Sequence, residues 1–369
     1  VPPGKLHPPV PPRRITSTQG RAAPRLYVAG WLLVVTGLVG MVATLLAVSA
    51  SSDGAGPAGL PAFEAFSAAL SAGFIAAALA QGRQRVDDGW QDYSGPSPFL
   101  LIGAWLALSL VLSLALAWLL GLLSITAPDT LLTLAAVVLN LIIYVAVVQA
   151  TVIRPGALTW TDMARPNRLA PHPSDQSFSW STFQWTKTAE RHGPRAMLSD
   201  AAIGMGLGTP LMVGTLFYTG ILAVVLGLRD IEVPPGPVPT ELPGWDLWII
   251  LLAAGVVAPI GEEIFFRGFA TNAWGRSLAR NSAIWLAATV FASVHIVNLI
   301  GQYPLDDLWV FFRLAILAVA ARIPVAWALS WIYTRRHSIY SSMALHAAYN
   351  GSLVLLIWWL NQMGPVGGY

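Results

Sequence analysis

Nine stretches of about twenty or more mostly apolar residues, separated by shorter polar segments, set the pattern of this chain. They run approximately Leu26 to Ser49, Ala62 to Ala80, Phe99 to Leu123, Leu131 to Ile153, Ala201 to Leu228, Leu247 to Ala270, Ser282 to Ile300, Leu308 to Tyr333 and Ile339 to Leu360. At about 1.5 Å of rise per residue, each is long enough as a helix to cross a hydrocarbon core about 30 Å thick. The pattern predicts an all-α fold, a polytopic transmembrane helical bundle of about nine spans. A membrane barrel would alternate apolar and polar positions over segments of about ten residues, which these unbroken runs of Leu, Val and Ala do not do.

The polar positions then orient the bundle. Cytoplasmic loops retain Lys and Arg, whereas translocated loops exclude them. Five basic residues lie before the first span, followed on alternate loops by Arg83 and Arg85, by six between Arg154 and Arg195, by Arg276 and Arg280, and by Arg335 and Arg336, so that 17 of 21 share one side. The opposite loops carry only Arg229 among a set of acids, and Arg267, Arg313 and Arg322 fall within spans. This alternation predicts a cytoplasmic amino terminus and an external carboxyl terminus. The organisation expected is a disordered cytoplasmic tail at 1–25, a four-helix membrane region at 26–153, a cytoplasmic loop at 154–199, a second membrane region at 200–360 and a short external tail at 361–369. The first apolar run is long for a signal peptide and lacks a cleavage site of that type, so it is read as a retained helix. Trp245, Trp248, Trp309, Trp331, Trp358 and Trp359 sit near span ends and suit an interfacial aromatic belt.

Composition narrows the function. With 55% hydrophobic and 11% charged residues, the chain is far from the roughly 25% charged content of soluble domains. A net charge of +3, so unevenly placed, bears on membrane orientation, and no nucleic acid partner is expected. The absence of cysteine excludes disulfides and thiolate metal sites, leaving His and carboxylates as the strong candidate ligands. Nineteen Arg against two Lys, with abundant Ala, suggest a GC-rich bacterial genome and hence a multi-pass protein of a bacterial inner (plasma) membrane.

An ionisable side chain within the bilayer costs about 2.5 to 3.5 kcal/mol on insertion scales, so each one needs a reason. The acids inside spans are Glu64, Glu262 and Glu263, and the histidines are His295 and His346. All but Glu64 fall in the last four spans, which predicts a single polar site. In Pro259-Ile-Gly-Glu-Glu-Ile-Phe-Phe-Arg-Gly268, Glu263 and Arg267 are four apart and can pair along one face, while Glu262 points about 100° away. One carboxylate is then neutralised structurally and the other is presented to a cavity. Phe291 with His295, and His346 with Asn350, repeat the spacing of four. Taken singly, each pair has a plainer reading: charges snorkelling at a helix end, a hydrogen-bonded packing histidine, or a His and Asn bridging two helices.

Glu-Glu-x-x-x-Arg, Phe-x-x-x-His and His-x-x-x-Asn, in that order on successive apolar segments, resemble the three motifs of the CPBP (CAAX protease and bacteriocin-processing) family of intramembrane proteases. Leu158-Thr-Trp-Thr-Asp162 is similar to a looser element preceding that family's core, and the likeness runs from about Thr159 to Leu360, leaving the first four helices outside. The resemblance implies an endopeptidase acting on a membrane-associated protein or peptide. Glu262 would be the general base that activates water, His295 would orient that water, and His346 and Asn350 would stabilise the oxyanion, with Glu263, Arg267 and Phe291 supporting. It also leaves zinc open as a cofactor, because Glu262, His295 and His346 make a His-His-Glu set with room for a further ligand. Asn350, on the face of His346, favours metal-free glutamate chemistry. A non-catalytic scaffold or immunity factor would not need every one of these residues, and a proton-coupled transporter would not need the Glu-Glu-x-x-x-Arg and His-x-x-x-Asn pairs together.

Overall fold

A computed structural model describes residues 20–50, 59–166, 193–228, 244–299 and 308–363. Most of the segments 1–25 and 154–199, and most of the tail 361–369, lie outside the described residues. The described chain is helical throughout, with nine helices long and apolar enough to cross a membrane. They are α1 (Pro24–Ala50), α2 (Gly59–Asp87), α3 (Pro98–Leu122), α4 (Asp129–Val148), α6 (Pro194–Val225), α7 (Asp246–Ser277), α8 (Arg280–Val294), α9 (Leu308–Arg336) and α10 (Ile339–Gln362), with a five-residue helix α5 (Trp160–Ala164) between α4 and α6. The protein is a multi-pass membrane protein.

The chain forms two compact units, residues 1–111 with 150–157, and residues 112–149 with 158–369. In the first, α1 and α2 pack through small residues. A Cβ on Gly37 would sit 2.6 Å from the backbone nitrogen of Leu70, so only glycine lets the two backbones approach this closely. In the second, α6 and α10 use the same device, where a Cβ on Gly208 would lie 2.6 Å from the carbonyl oxygen of Leu345. The compact units divide the chain differently from the boundary expected at residue 153. Helix α4 belongs to the second unit, where the Tyr144 ring packs on Phe265 of α7 with centroids 4.9 Å apart.

Helix α7 departs from the α-helical register twice. Ala253–Val257 and Glu263–Thr271 are π-helical, with α-helical turns before, between and after them. Such wide turns are rare and concentrate at functional sites. Helix α5 is started by a capping box, in which the Thr159 hydroxyl accepts from the Asp162 backbone and the Asp162 carboxylate accepts from that of Thr159. It is tied to the ends of two spans. Tyr333 of α9 donates its hydroxyl to the Met163 carbonyl at 2.9 Å, Asn272 of α7 donates to the Asp162 carbonyl at 2.8 Å, and Arg276 pairs with the Asp162 carboxylate at 3.2 Å. Among the tryptophans of the expected belt, Trp245, Trp248, Trp309 and Trp359 are exposed, whereas Trp331 stacks on Trp327 and packs on the Leu329 and Leu345 cluster.

Candidate active site

The stretch from Ala253 to Pro259, just before Glu262, explains how α7 presents it. At the end of the first π turn the Ala258 N–H donates to the Ala253 carbonyl, five residues back. The next residue is Pro259, which has no N–H, so the Ala254 carbonyl loses the donor that this register would provide. Asn350 of α10 replaces it, its Nδ2 donating to Ala254 O at 2.9 Å. Pro259 and Asn350 are thus two halves of one joint between α7 and α10.

Beyond the joint, the two carboxylates part company as their spacing predicts. The Glu263 side chain is fully buried, whereas that of Glu262 keeps 22% of its surface exposed. Glu263 Oε1 lies 3.0 Å from Arg267 Nη1 and 2.9 Å from His346 Nδ1. Arg267, itself fully buried, also donates from Nη2 to the Ala326 carbonyl of α9 at 3.2 Å, and its guanidinium lies 4.2 Å from the centre of the Phe291 ring. A carboxylate that pairs with arginine only accepts hydrogen bonds, so the His346 ring donates from Nδ1 and turns Nε2 toward Glu262 Oε2, 3.7 Å away.

Phe291 is the hub on the opposite side. Its ring centre is 5.0 Å from that of Phe266, 4.9 Å from that of His295 and 5.9 Å from that of His346. His295 closes α8 where the chain tightens to a 3₁₀ turn, and its Nδ1 lies 2.7 Å from the Phe291 carbonyl. A carbonyl can only accept, so Nδ1 carries the proton and, in the neutral ring, Nε2 presents a lone pair. The candidates from α7, α8 and α10 therefore lie in one cluster, held by contacts between residues up to 96 positions apart in sequence.

The carboxylate behind the His346 imidazole is the arrangement that orients metal-ligating histidines. Among the described residues, however, no three His, Asp or Glu side chains are grouped to hold a metal ion. Glu262, His295 and His346 are not grouped as a zinc set in this structure. An apolar cavity of about 350 Å³ lies beside the cluster between α6, α7 and α10, lined by residues that include Met197, Val256, Pro259, Tyr340 and Ala347. None of the candidate catalytic side chains lines it.

Sequence reasoning missed three participants. Tyr144 packs its ring against the helix that carries the acids, the Ala254 carbonyl occupies one Asn350 donor, and Arg322 of α9 interacts electrostatically with both Glu262 and His295. Only Arg322 left a signal, as a cation in the middle of an apolar run.

Residues 244–352 match the family model of type II CAAX prenyl endopeptidase Rce1-like proteins. Comparison with curated proteins and with solved structures gave no match.

Proposed function

We propose, from the match of residues 244–352 to the Rce1-like type II CAAX prenyl endopeptidase model and from the nine apolar helices, that the chain is a membrane protease of that family and cleaves a membrane-associated protein or peptide with a glutamate-activated water. The observation that carries this reading is the contrast between two adjacent carboxylates, Glu263 buried in a pair with Arg267 and His346, and Glu262 unpaired with arginine and partly open.

In the proposed reaction Glu262 takes a proton from water as the oxygen bonds to the scissile carbonyl carbon, and the carbonyl electron pair moves onto oxygen. Collapse of that intermediate breaks the C–N bond, and the proton held on Glu262 passes to the leaving nitrogen. His295, with Nε2 as acceptor, orients the water. His346 and the remaining Asn350 amide N–H face the developing oxyanion, while Glu263, Arg267 and Phe291 hold the histidines in place. Glu262→Gln keeps the shape and removes the base. It should lower cleavage by about 10² to 10⁴-fold with normal insertion and melting temperature, and full turnover by this variant would remove Glu262 from the role.

We further infer a cytoplasmic amino terminus in a bacterial inner membrane, from the distribution of basic residues. The protein has no native cysteine, so single cysteines act as unique labels. Ser338, on the predicted cytoplasmic side, is buried at the start of α10 and unsuitable, whereas Arg335 and Thr126 are exposed. A membrane-impermeant thiol reagent should label Thr126→Cys in intact cells and Arg335→Cys only in inverted vesicles. The opposite pattern would invert the bundle.

A further inference from the structure

The site has few donors left for a developing negative charge. Asn350 spends one N–H on Ala254, and His346 spends Nδ1 on Glu263, so His346 donates from Nε2 only when both ring nitrogens carry protons. An arginine is always a donor. Of the arginines within the spans of the second unit, Arg267 is held by Glu263, and Arg313 donates to the Leu226 and Gly227 carbonyls at the end of α6. Arg322 has neither arrangement.

Arg322 lies fourteen residues from each end of Leu308–Arg336, at the midpoint of the span, where a cation is costliest. Its only hydrogen bond among the described residues is from Nη1 to the Ala318 carbonyl of its own helix at 2.9 Å, and no carboxylate there comes within 4 Å of it. The next turn of the same face carries Ala326, whose carbonyl accepts from Arg267, so this face of α9 is turned toward the site. Its side chain is half-buried, and its charge acts on Glu262 and on His295. Arg322 is thus a cation whose charge reaches the base without an ion pair to it.

We infer that Arg322 is a further catalytic residue, a guanidinium that receives the negative charge formed on the scissile carbonyl oxygen when water adds. It transfers no proton. Glu262 takes the proton from water and returns it to the leaving nitrogen, while Arg322 donates hydrogen bonds to the oxyanion until the C–N bond breaks. This inference rests on the glutamate-water reading of the site.

The test uses the full chain in detergent, with a fluorescence-quenched peptide chosen from a random library because wild type cleaves it and Glu262→Gln does not. Arg322→Gln should lower kcat by about 10² to 10³-fold with little change in KM, the range for loss of an oxyanion donor. Arg322→Lys, which keeps the charge, should recover part of that loss. A matched peptide phosphinate, tetrahedral and anionic at the scissile position, should lose affinity for Arg322→Gln in parallel with the fall in kcat. Melting temperatures of both variants separate these effects from misfolding, and a purely packing role would lower the melting temperature without the selective loss of phosphinate binding. A rise in KM at unchanged kcat would make Arg322 a ground-state anchor and overturn the inference, as would an unchanged kcat. Cleavage retained by Glu262→Gln across the library would instead overturn the underlying glutamate reading.

Discussion

The α1–α2 hairpin of the first unit and the α6–α7–α10 region of the second solve one problem in different ways. Both bring helices together through glycine, Gly37 against Leu70 in the one and Gly208 against Leu345 in the other. Within the hairpin Thr44 and Ser67 turn back on their own helices, Thr44 to the Gly40 carbonyl and Ser67 to that of Phe63. In the second region polar groups cross between helices, Asn350 to Ala254, His346 to Glu263 and Arg267 to Ala326. Close packing alone is thus enough to assemble helices in lipid, where apolar surface gains little by leaving acyl chains. Polar groups that cross the interface are expensive there and mark the region proposed to do the chemistry.

The comparison is sharpened most by the paired acids. Glu262→Gln should remove turnover with the fold intact. Glu263→Gln, which strands Arg267 in a fully buried place, should also destabilise the protein by about 3 to 5 kcal/mol, read as a lower melting temperature in detergent. Equal melting temperatures for the two variants would break the division of labour between them. Next in size are the glycines. Gly208→Leu should lose about 1 to 3 kcal/mol or more from overpacking and lose activity with it, whereas Gly37→Leu should cost a similar amount while turnover of the surviving folded protein stays unchanged.

The joint between α7 and α10 predicts a smaller, conditional effect. Asn350→Leu leaves the Ala254 carbonyl without its partner, at about 1 to 3 kcal/mol. Adding Pro259→Ala supplies a backbone N–H, so the double variant should recover stability that the single variant lost, and additive melting shifts would refute the joint. Smallest is the link to α5, outside the membrane spans. Partial burial acts to raise the Asp162 carboxyl, but hydrogen bonds from Thr159 and the charge of Arg276 outweigh it and hold the carboxyl below its usual range. A depressed folded value means that its stabilisation is present above the unfolded value, about 3.9, and is lost as pH falls through the folded one. For a partly exposed pair the amount is under about 1 kcal/mol. The melting temperatures of wild type and Asp162→Asn should therefore differ most near neutrality and converge on acidification below about pH 4.

What could be read from the chain and what could not divides along the same line. The nine spans follow from runs of apolar residues, and the Glu263–Arg267 pair follows from a spacing of four, because both are local properties of a helix. The Tyr144 packing, the Ala254–Asn350 bond and the facing of Arg322 depend on which helices become neighbours, and linear spacing carries no such information. The two π turns were equally hidden. Pro259 could be read as the loss of a hydrogen bond, but the carbonyl it orphans depends on whether the register is four or five residues. The assignment of α4 to the second unit reflects its packing along α7, including the ring contacts of Tyr144 with Phe265 and Phe266, which nothing in the apolar pattern of either helix signals.

The Pro259–Ala254–Asn350 joint also has a consequence for biogenesis. Helix α7 enters the membrane with a backbone carbonyl that its own helix leaves unpaired, and the donor that satisfies it lies 96 residues downstream. Lipid offers no substitute partner. During synthesis the helix bearing Glu262 is incomplete until α10 has inserted, and the same helix delivers His346 to Glu263. The segment of α7 that carries Glu262 and Glu263 therefore reaches its final hydrogen bonding only after α10 arrives, so the order in which helices enter the bilayer sets when this region can take its folded form.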